Sequence, residues 1–347
     1  MKILVVGDSF VPVRVFELGL SDLRGAHQIE YVQLDESLPF MPVTASERSI
    51  REYLGTPGQL AARAGDAEVL IVHGAPVTEE VLAAGPRLRL ICCARGGPVN
   101  VDVAAASSRQ IPVVITPGKN AESVADQTLA FMIMLARGFP RAQRFLLDGG
   151  TLGESAFEGA RFLGHDLTGH VLGLVGFGNV GRRVRERAIA FGMRVVVYDP
   201  YVQLGDLAST EQVPTLADLL SRSDFVSLHV RATTETQNFF GYMQFAAMKP
   251  GSYFLNTARE SLVDEEALDS ALASGHLAGA GLDVVRPRSE AGPHPLLRHD
   301  NVVITPHIGG ATHETLLRGV TMVAEEINRF AAGKPLRALI NGTAVKA

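Results

Sequence analysis

The stretch ITPHIGGATHET, residues 304–315, sets one histidine, His307, between a short apolar run and two glycines, Gly309 and Gly310. An imidazole titrates near neutral pH, so a histidine at a strand end can give or take a proton there. It can equally be a polar turn residue. Upstream, NTARE places Arg259 between the buried-looking run SYFLN and the helical pattern EEALDSALASG. A guanidinium at such an edge suits bidentate capture of a carboxylate, though it can also pair with a helix. Asp264 reads as the N-cap of that helix. A third group is GFGNVG, in which Gly176, Gly178 and Gly181 enclose Phe177, Asn179 and Val180 directly after the run VLGLVG. Glycines also make tight turns with no ligand. Between a strand and a helix, however, the first makes the turn and the second lets backbone amides reach a pyrophosphate. The third lets the helix approach the sheet. Asp199 ends RVVVYD, eighteen residues past Gly181. A carboxylate there can accept from both ribose hydroxyls of NAD. Against the 2′-phosphate of NADP it would set like charges about 4 Å apart, at a cost of roughly 1–4 kcal/mol. Pro200 and Tyr201 follow it, with no basic neighbour. The alternative is an Asp that only caps its turn.

These residues need elements to position them. In the N-terminal part, apolar runs at 2–7, 29–34, 68–74, 88–94 and 112–117 alternate with segments of helical spacing. Continuous apolar strands separated by helices predict a parallel sheet covered on both faces, here a flavodoxin-like doubly wound domain. A second set, at 171–176, 194–199, 225–229, 252–256, 278–283 and 302–306, fits the Rossmann arrangement. The expected fold is therefore α/β: a flavodoxin-like substrate domain over 1–118 and 313–347, a Rossmann domain over 119–312, and a cleft between them. The hinges are expected at TPGKN, 116–120, and just after ITPHIGG. Segment 121–139 is apolar nearly all round, which predicts burial between domains or subunits. The pattern after residue 312 is amphipathic with a stop at Gly333, and is expected to return to the first domain. In the second set, Gly176, Asp199, His229, Asn256–Arg259, Asp283 and His307 all fall at the carboxyl ends of strands, where open α/β sheets bind ligands. His229 reads equally as a structural strand-end residue.

Composition narrows the partners. The 347 residues are 46% hydrophobic and 20% charged, with a net charge of −5 and no long basic run. That argues against nucleic acid or an anionic membrane as partner. MKILVVGDSF reads as a first strand rather than a signal peptide, and the longest apolar run, 129–136, is too short to span a bilayer. The only cysteines, Cys92 and Cys93, are adjacent in an apolar run, without metal-ligand spacing, and are expected to be buried in a reducing cytoplasm. No metal site is expected.

The stretches GFGNVG with Asp199, LHVRATTET, MKPGSYFLNTARESLVDEEAL, HLAGAGLDV and TPHIGGAT, in this order, give a resemblance over nearly the whole length. The chain resembles the D-isomer-specific 2-hydroxyacid dehydrogenases, nearer to phosphoglycerate and glyoxylate/hydroxypyruvate dehydrogenases than to formate dehydrogenases. The resemblance stops before the further C-terminal regulatory domain of some phosphoglycerate dehydrogenases. It implies NAD as cofactor, a small 2-hydroxy or 2-oxo acid as substrate, and a homodimer. It implies His307 as general acid/base and Arg259 as the group that holds the substrate carboxylate and polarises its carbonyl. The amides of Arg95, Gly96 and Gly97 would cradle that carboxylate. Asp283 would hold the nicotinamide carboxamide, with Thr257 and Ala258 as backbone contacts to the cofactor. Gly309 and Gly310, with Gly176, Gly178, Asn179, Val180, Gly181 and Asp199, complete the implied cofactor-binding set.

Three positions depart from the family pattern. Arg231 stands where the family has Pro, and Glu260 where it has Gly after the Arg. Arg288 stands where a Glu pairs with the histidine, and the nearest downstream carboxylate is Glu290. Three readings of Arg288 follow: it faces His307 and disfavours the charged imidazole, it lies in solvent with Glu290 turned inward, or it binds an anionic group of the substrate. A non-catalytic NAD(H)-binding module of the same fold is the competing function. The substrate side chain is expected to meet the loops at 8–11, 73–74 and 95–97, with His73 either touching it or structural.

Overall fold

The computed structural model describes residues 1–37, 40–151, 153, 156–289 and 291–342. The chain divides into two compact units, Met1–Lys119 with Thr312–Ala347, and Asn120–Ala311. The first unit carries a parallel five-stranded sheet of β1 (Lys2–Gly7), β2 (Gln28–Gln33), β3 (Val69–Val72), β4 (Leu90–Cys93) and β5 (Val113–Val114), in the order β2-β1-β3-β4-β5. Why these runs are apolar throughout is visible in the packing. Leu4, Val6, Leu70, Val72, Ile91 and Cys93 fill one core, while Ile3, Val5, Val69, Ile71, Leu90 and Cys92 fill another. Alternate residues of each strand thus meet different apolar layers. Cys92 and Cys93 point into opposite layers, both fully buried, and burial pushes both thiols up, that of Cys93 to about 11. The helix His313–Ala331 lays Val320, Val323, Ala324 and Ile327 into the layer that holds Phe16 and Leu20, which is how the C-terminal segment joins the N-terminal sheet.

The second unit holds a parallel seven-stranded sheet. Its strands are β6 (Val171–Val175), β7 (Arg194–Tyr198), β8 (Thr210–Gln212), β9 (Phe225–Leu228), β10 (Ser252–Asn256), β11 (Leu277–Leu282) and β12 (Val302–Ile304), in the order β12-β11-β10-β9-β6-β7-β8. Sequence reading finds six of the seven. The seventh, β8, is a three-residue polar edge strand paired only to β7, so it shows no apolar run. The apolar helix Ala121–Ala136 owes its burial to this unit's own core. Ala125, Leu129, Phe131, Met132 and Leu135 pack with Leu172, Leu174 and Leu255, while Asp126 and Ala130 stay exposed. No helix among the described residues is long and apolar enough to cross a membrane.

Candidate active site

The crossing from β6 to the helix Asn179–Ala190 is built on glycines for three physical reasons. Gly176 has φ +96°, a left-handed value that costs other residues about 1 kcal/mol or more, and a Cβ there would lie 2.7 Å from the His229 carbonyl oxygen. A Cβ on Gly181 would lie 2.5 Å from the Gly176 carbonyl oxygen. A Cβ on Gly178 would instead meet nothing within 4 Å. Gly178 is the N-cap, with no side chain capping the helix, so the first-turn amides and the positive end of the macrodipole face open space. Asn179 is exposed there and Val180 half-buried. The arrangement fits the pyrophosphate of a dinucleotide. Asp199, half-buried at the end of β7, accepts from the Phe177 amide at 2.7 Å and the Tyr201 amide at 2.9 Å, one to each oxygen. It does cap its turn, and each oxygen keeps a lone pair for a ribose hydroxyl.

Next along the same edge, β10 ends in Asn256, 1% exposed, whose side chain brackets the following loop. Its Nδ2 donates to the Arg259 carbonyl at 2.8 Å and its Oδ1 accepts from the Ala258 amide at 3.0 Å. Thr257 is buried, its hydroxyl 3.1 Å from that of Thr128. Arg259 projects from this loop exposed. Its Nη1 donates to the Ala258 carbonyl at 2.6 Å, and it has no ion-pair partner among the described residues. Sequence reading places Asn256 at this edge but assigns it no partner. An Asn closing a buried strand was the available signal, because a short amide side chain can bond the loop that follows.

The Asn256 carbonyl accepts the amide of Asp283, at the end of β11. The Asp283 carboxylate, 2% exposed, takes Thr305 Oγ1 at 2.6 Å, the Ile308 amide at 2.9 Å and the Gly309 amide at 2.8 Å. A Cβ on Gly309 would lie 2.7 Å from Asp283 Oδ2. Between them stands His307, at φ +57°, its amide donating to the Asp283 carbonyl at 2.8 Å. Its imidazole is exposed and has no hydrogen bond or ion pair among the described residues. Gly310 is half-buried beside the Asn120 side chain. Arg259, Asn256, Asp283 and His307 thus form one hydrogen-bonded succession along the carboxyl edge of the second sheet. His229 lies on the same edge, its Nε2 2.9 Å from Ser227 Oγ. Burial holds its pKa well below the ordinary value, so the ring is neutral.

Of the three departures, Arg231 is exposed and Glu260 half-buried. Arg288 is exposed, its Nη1 donating to the Pro293 carbonyl at 3.2 Å. Glu290 lies outside the described residues.

Arg95, Gly96 and Gly97 belong to the first unit, on the loop after β4. Arg95 donates to the Glu52 carbonyl at 2.7 Å and pairs with its carboxylate, while Cβ atoms on Gly96 and Gly97 would meet nothing within 4 Å. Asp8, at the end of β1, accepts from the Gly74 amide at 2.7 Å, the Val11 amide at 2.7 Å and the Phe10 amide at 2.9 Å, with His73 Nδ1 at 3.0 Å. Burial acts to raise the Asp8 carboxyl. The bond and charge of His73, with the amides of Val11 and Gly74, outweigh it and hold the group below the ordinary carboxylate value. Burial, opposed by Asp8, lowers His73. The pairing was not visible in sequence, since 65 residues separate the two.

Residues 129–309 match the NAD binding domain of the D-isomer specific 2-hydroxyacid dehydrogenases. A glyoxylate reductase of Korarchaeum cryptofilum is 40% identical over 274 residues, covering 78% of this chain and 81% of the relative. A D-3-phosphoglycerate dehydrogenase of Methanocaldococcus jannaschii is 37% identical over 289 residues, 82% of this chain and 54% of the relative. The chain spans about half the length of the phosphoglycerate dehydrogenase relatives it matches. The crystal structure of a D-lactate dehydrogenase from Aquifex aeolicus, complexed with NAD and lactic acid, superimposes with a TM-score of 0.68 at 28% identity over 95% of this chain and 96% of that one. With the glycine turn and Asp199 in place for a dinucleotide, these likenesses identify the chain as a member of the D-isomer specific 2-hydroxyacid dehydrogenase family.

Proposed function

We propose that the chain is an NAD-dependent oxidoreductase that interconverts a D-2-hydroxy acid and its 2-oxo acid. The observation that carries the reading is His307: a non-glycine residue in left-handed backbone, fixed through Asp283, with its imidazole exposed and uncommitted at the edge where Arg259 also projects. Backbone held in a sparsely populated conformation clusters at active sites, where the surroundings fix it. When bound, NAD(H) supplies or accepts the hydride. In reduction His307 protonates the keto oxygen, and in oxidation it takes the hydroxyl proton. Arg259 binds the carboxylate and polarises the carbonyl. The amides of Arg95, Gly96 and Gly97 are assigned to the same carboxylate. Gly178, Asn179 and Val180 meet the pyrophosphate, and Asp199 the ribose. Thr257, Ala258, Asp283, Gly309 and Gly310 are assigned to the nicotinamide end. The substrate and Rossmann domains correspond to the first and second units. A homodimer in the cytoplasm completes the proposal, supported by family resemblance and by two buried free thiols.

One observation favours a second reading, a regulatory NAD(H)-binding module. Arg288 stands where the family has a carboxylate for the histidine, and His307 has no such partner among the described residues. NADH oxidation with glyoxylate, hydroxypyruvate, pyruvate and longer 2-oxo acids decides between them. Turnover with at least one, reduced about 10²–10⁴-fold in kcat by His307→Ala, is the expected result. Silence across the panel with tight NADH binding would establish the module instead.

A further inference from the structure

Lys119, at the C-terminal edge of the first sheet, has no role so far. It is 9% exposed, and its ammonium donates to the Ala94 carbonyl at 2.7 Å, immediately before the loop Arg95–Gly97. No other acceptor and no ion-pair partner serves it among the described residues. The one acid that acts on its charge, Asp8, makes no ion pair with it and is taken by His73 and the amides of Phe10, Val11 and Gly74. The position is nonetheless built. Arg318 donates to the Lys119 carbonyl, and the Lys119 stem runs over Gly319, where a Cβ would lie 2.8 Å from its Cδ. Lys119 and Arg95 both act to lower His73, behind burial as the main cause, so the two cations face the same imidazole.

A buried charge without an ion-pair partner is costly, and an apolar side chain of similar volume is usually tolerated better. The cost falls at the carboxyl edge of an open α/β sheet, where ligands bind. In the reading above, one substrate carboxylate is already served by Arg259 and the loop amides. We propose that Lys119 is a specificity-determining cation that binds a second anionic group, carboxylate or phosphate, on the substrate, so that this chain prefers dianionic 2-oxo acids. The two sources share anionic oxygens on a tether and differ in the group that carries them. The inference rests on the 2-oxo acid reading for its substrate, but not for the existence of the anion site.

The test therefore has a binding arm and a kinetic arm, both on the full chain. Inorganic phosphate, succinate and acetate are titrated calorimetrically and in thermal melts, without cofactor. Phosphate or succinate binds and raises Tm more than acetate does, and the stronger of the two names the source. Lys119→Met weakens that binding at least tenfold. In the kinetic arm, Lys119→Met lowers kcat/KM for 2-oxoglutarate at least tenfold more than for 2-oxobutyrate. Gly319→Ala is a second variant, suited to helix formation, that displaces the ammonium without removing it and gives the same selective loss. If dianions bind unmutated protein and Lys119→Met alike, or acetate binds as tightly as dianions, the proposal is overturned. A Tm that falls in Lys119→Met while anion binding persists also overturns it, because Lys119 is then only a latch on Ala94. Lys119-dependent anion binding in a protein without any turnover would keep the site and remove only the dehydrogenase reading.

Discussion

Asp283 positions His307 without touching its imidazole: the Asp283 carbonyl accepts the His307 amide at 2.8 Å, and its carboxylate holds Thr305, Ile308 and Gly309 around it. A carboxylate is needed because every group facing it is a donor. Asp283→Asn keeps the shape but turns an NH₂ toward one of them, leaving buried donors opposed. The expected loss is on the order of 2–3 kcal/mol, a fall in Tm of roughly 5–10 °C. Turnover should drop with it, since the left-handed backbone at His307 loses its support. A thermal melt matching the unmutated protein would show that the turn is held by something else.

How far the sequence was legible depends on what each residue meets. Central strands such as Val69–Val72 must satisfy apolar layers on both faces, so they announce themselves as unbroken Val, Leu and Ile. An edge strand such as Thr210–Gln212 carries no such demand and was missed. GFGNVG and Asp199 were legible because turn, close approach and charge each restrict the residue type at fixed spacing. The bonds of Asn256 to its loop, the Asp8–His73 pair and Lys119 were not. Their significance lies in partners reached through the fold, and lysine is otherwise nearly always a surface residue. The left-handed backbone at His307 is equally invisible, since histidine adopts it only when its surroundings impose it.

Asn256 places Arg259 by holding both Ala258 and Arg259 through one side chain. Asn256→Asp removes the donor and turns an anionic oxygen toward the Arg259 carbonyl. A guanidinium misplaced by about 1 Å can cost around 100-fold, so kcat/KM for the best 2-oxo acid should fall roughly 10–100-fold while NADH affinity is largely kept. Steady-state kinetics beside an NADH titration checks the split. Equal losses of substrate and NADH efficiency would point to general damage to the sheet edge.

Cofactor choice rests on Asp199, whose neighbours in sequence, Pro200 and Tyr201, bring no basic group. NAD should be preferred over NADP by roughly fivefold to several hundredfold, from the repulsion of about 1–4 kcal/mol. Asp199→Ala narrows the gap, chiefly by losing NAD. It also frees the Phe177 amide, bonded at 2.7 Å, so some stability should go with it. Equal kcat/KM for the two cofactors in the unmutated protein would remove the assignment.

Lys119 makes a prediction about stability that needs no ligand. Burial, against Cys93 and Asp8 and with the help of Arg95, brings its ammonium down to about 8, and Arg318 and His73 are further charged or titratable groups beside it. In the unfolded chain a lysine titrates near 10.4. Between those values the unfolded state binds a proton that the native state does not, so this group's contribution to stability rises with pH from about 8 toward 10.4. Below about 8 both states are charged and the full burial penalty, on the order of 3 kcal/mol, is in force. The buried thiols act oppositely, since raised pKa values lose stability as pH climbs, but they are present in both proteins of the comparison. Lys119→Met should therefore be more stable than the unmutated chain at pH 7, with the difference shrinking by pH 10. Denaturant unfolding at both pH values measures it. A difference that stays constant with pH would mean that the ammonium is solvated or already paired in the folded protein.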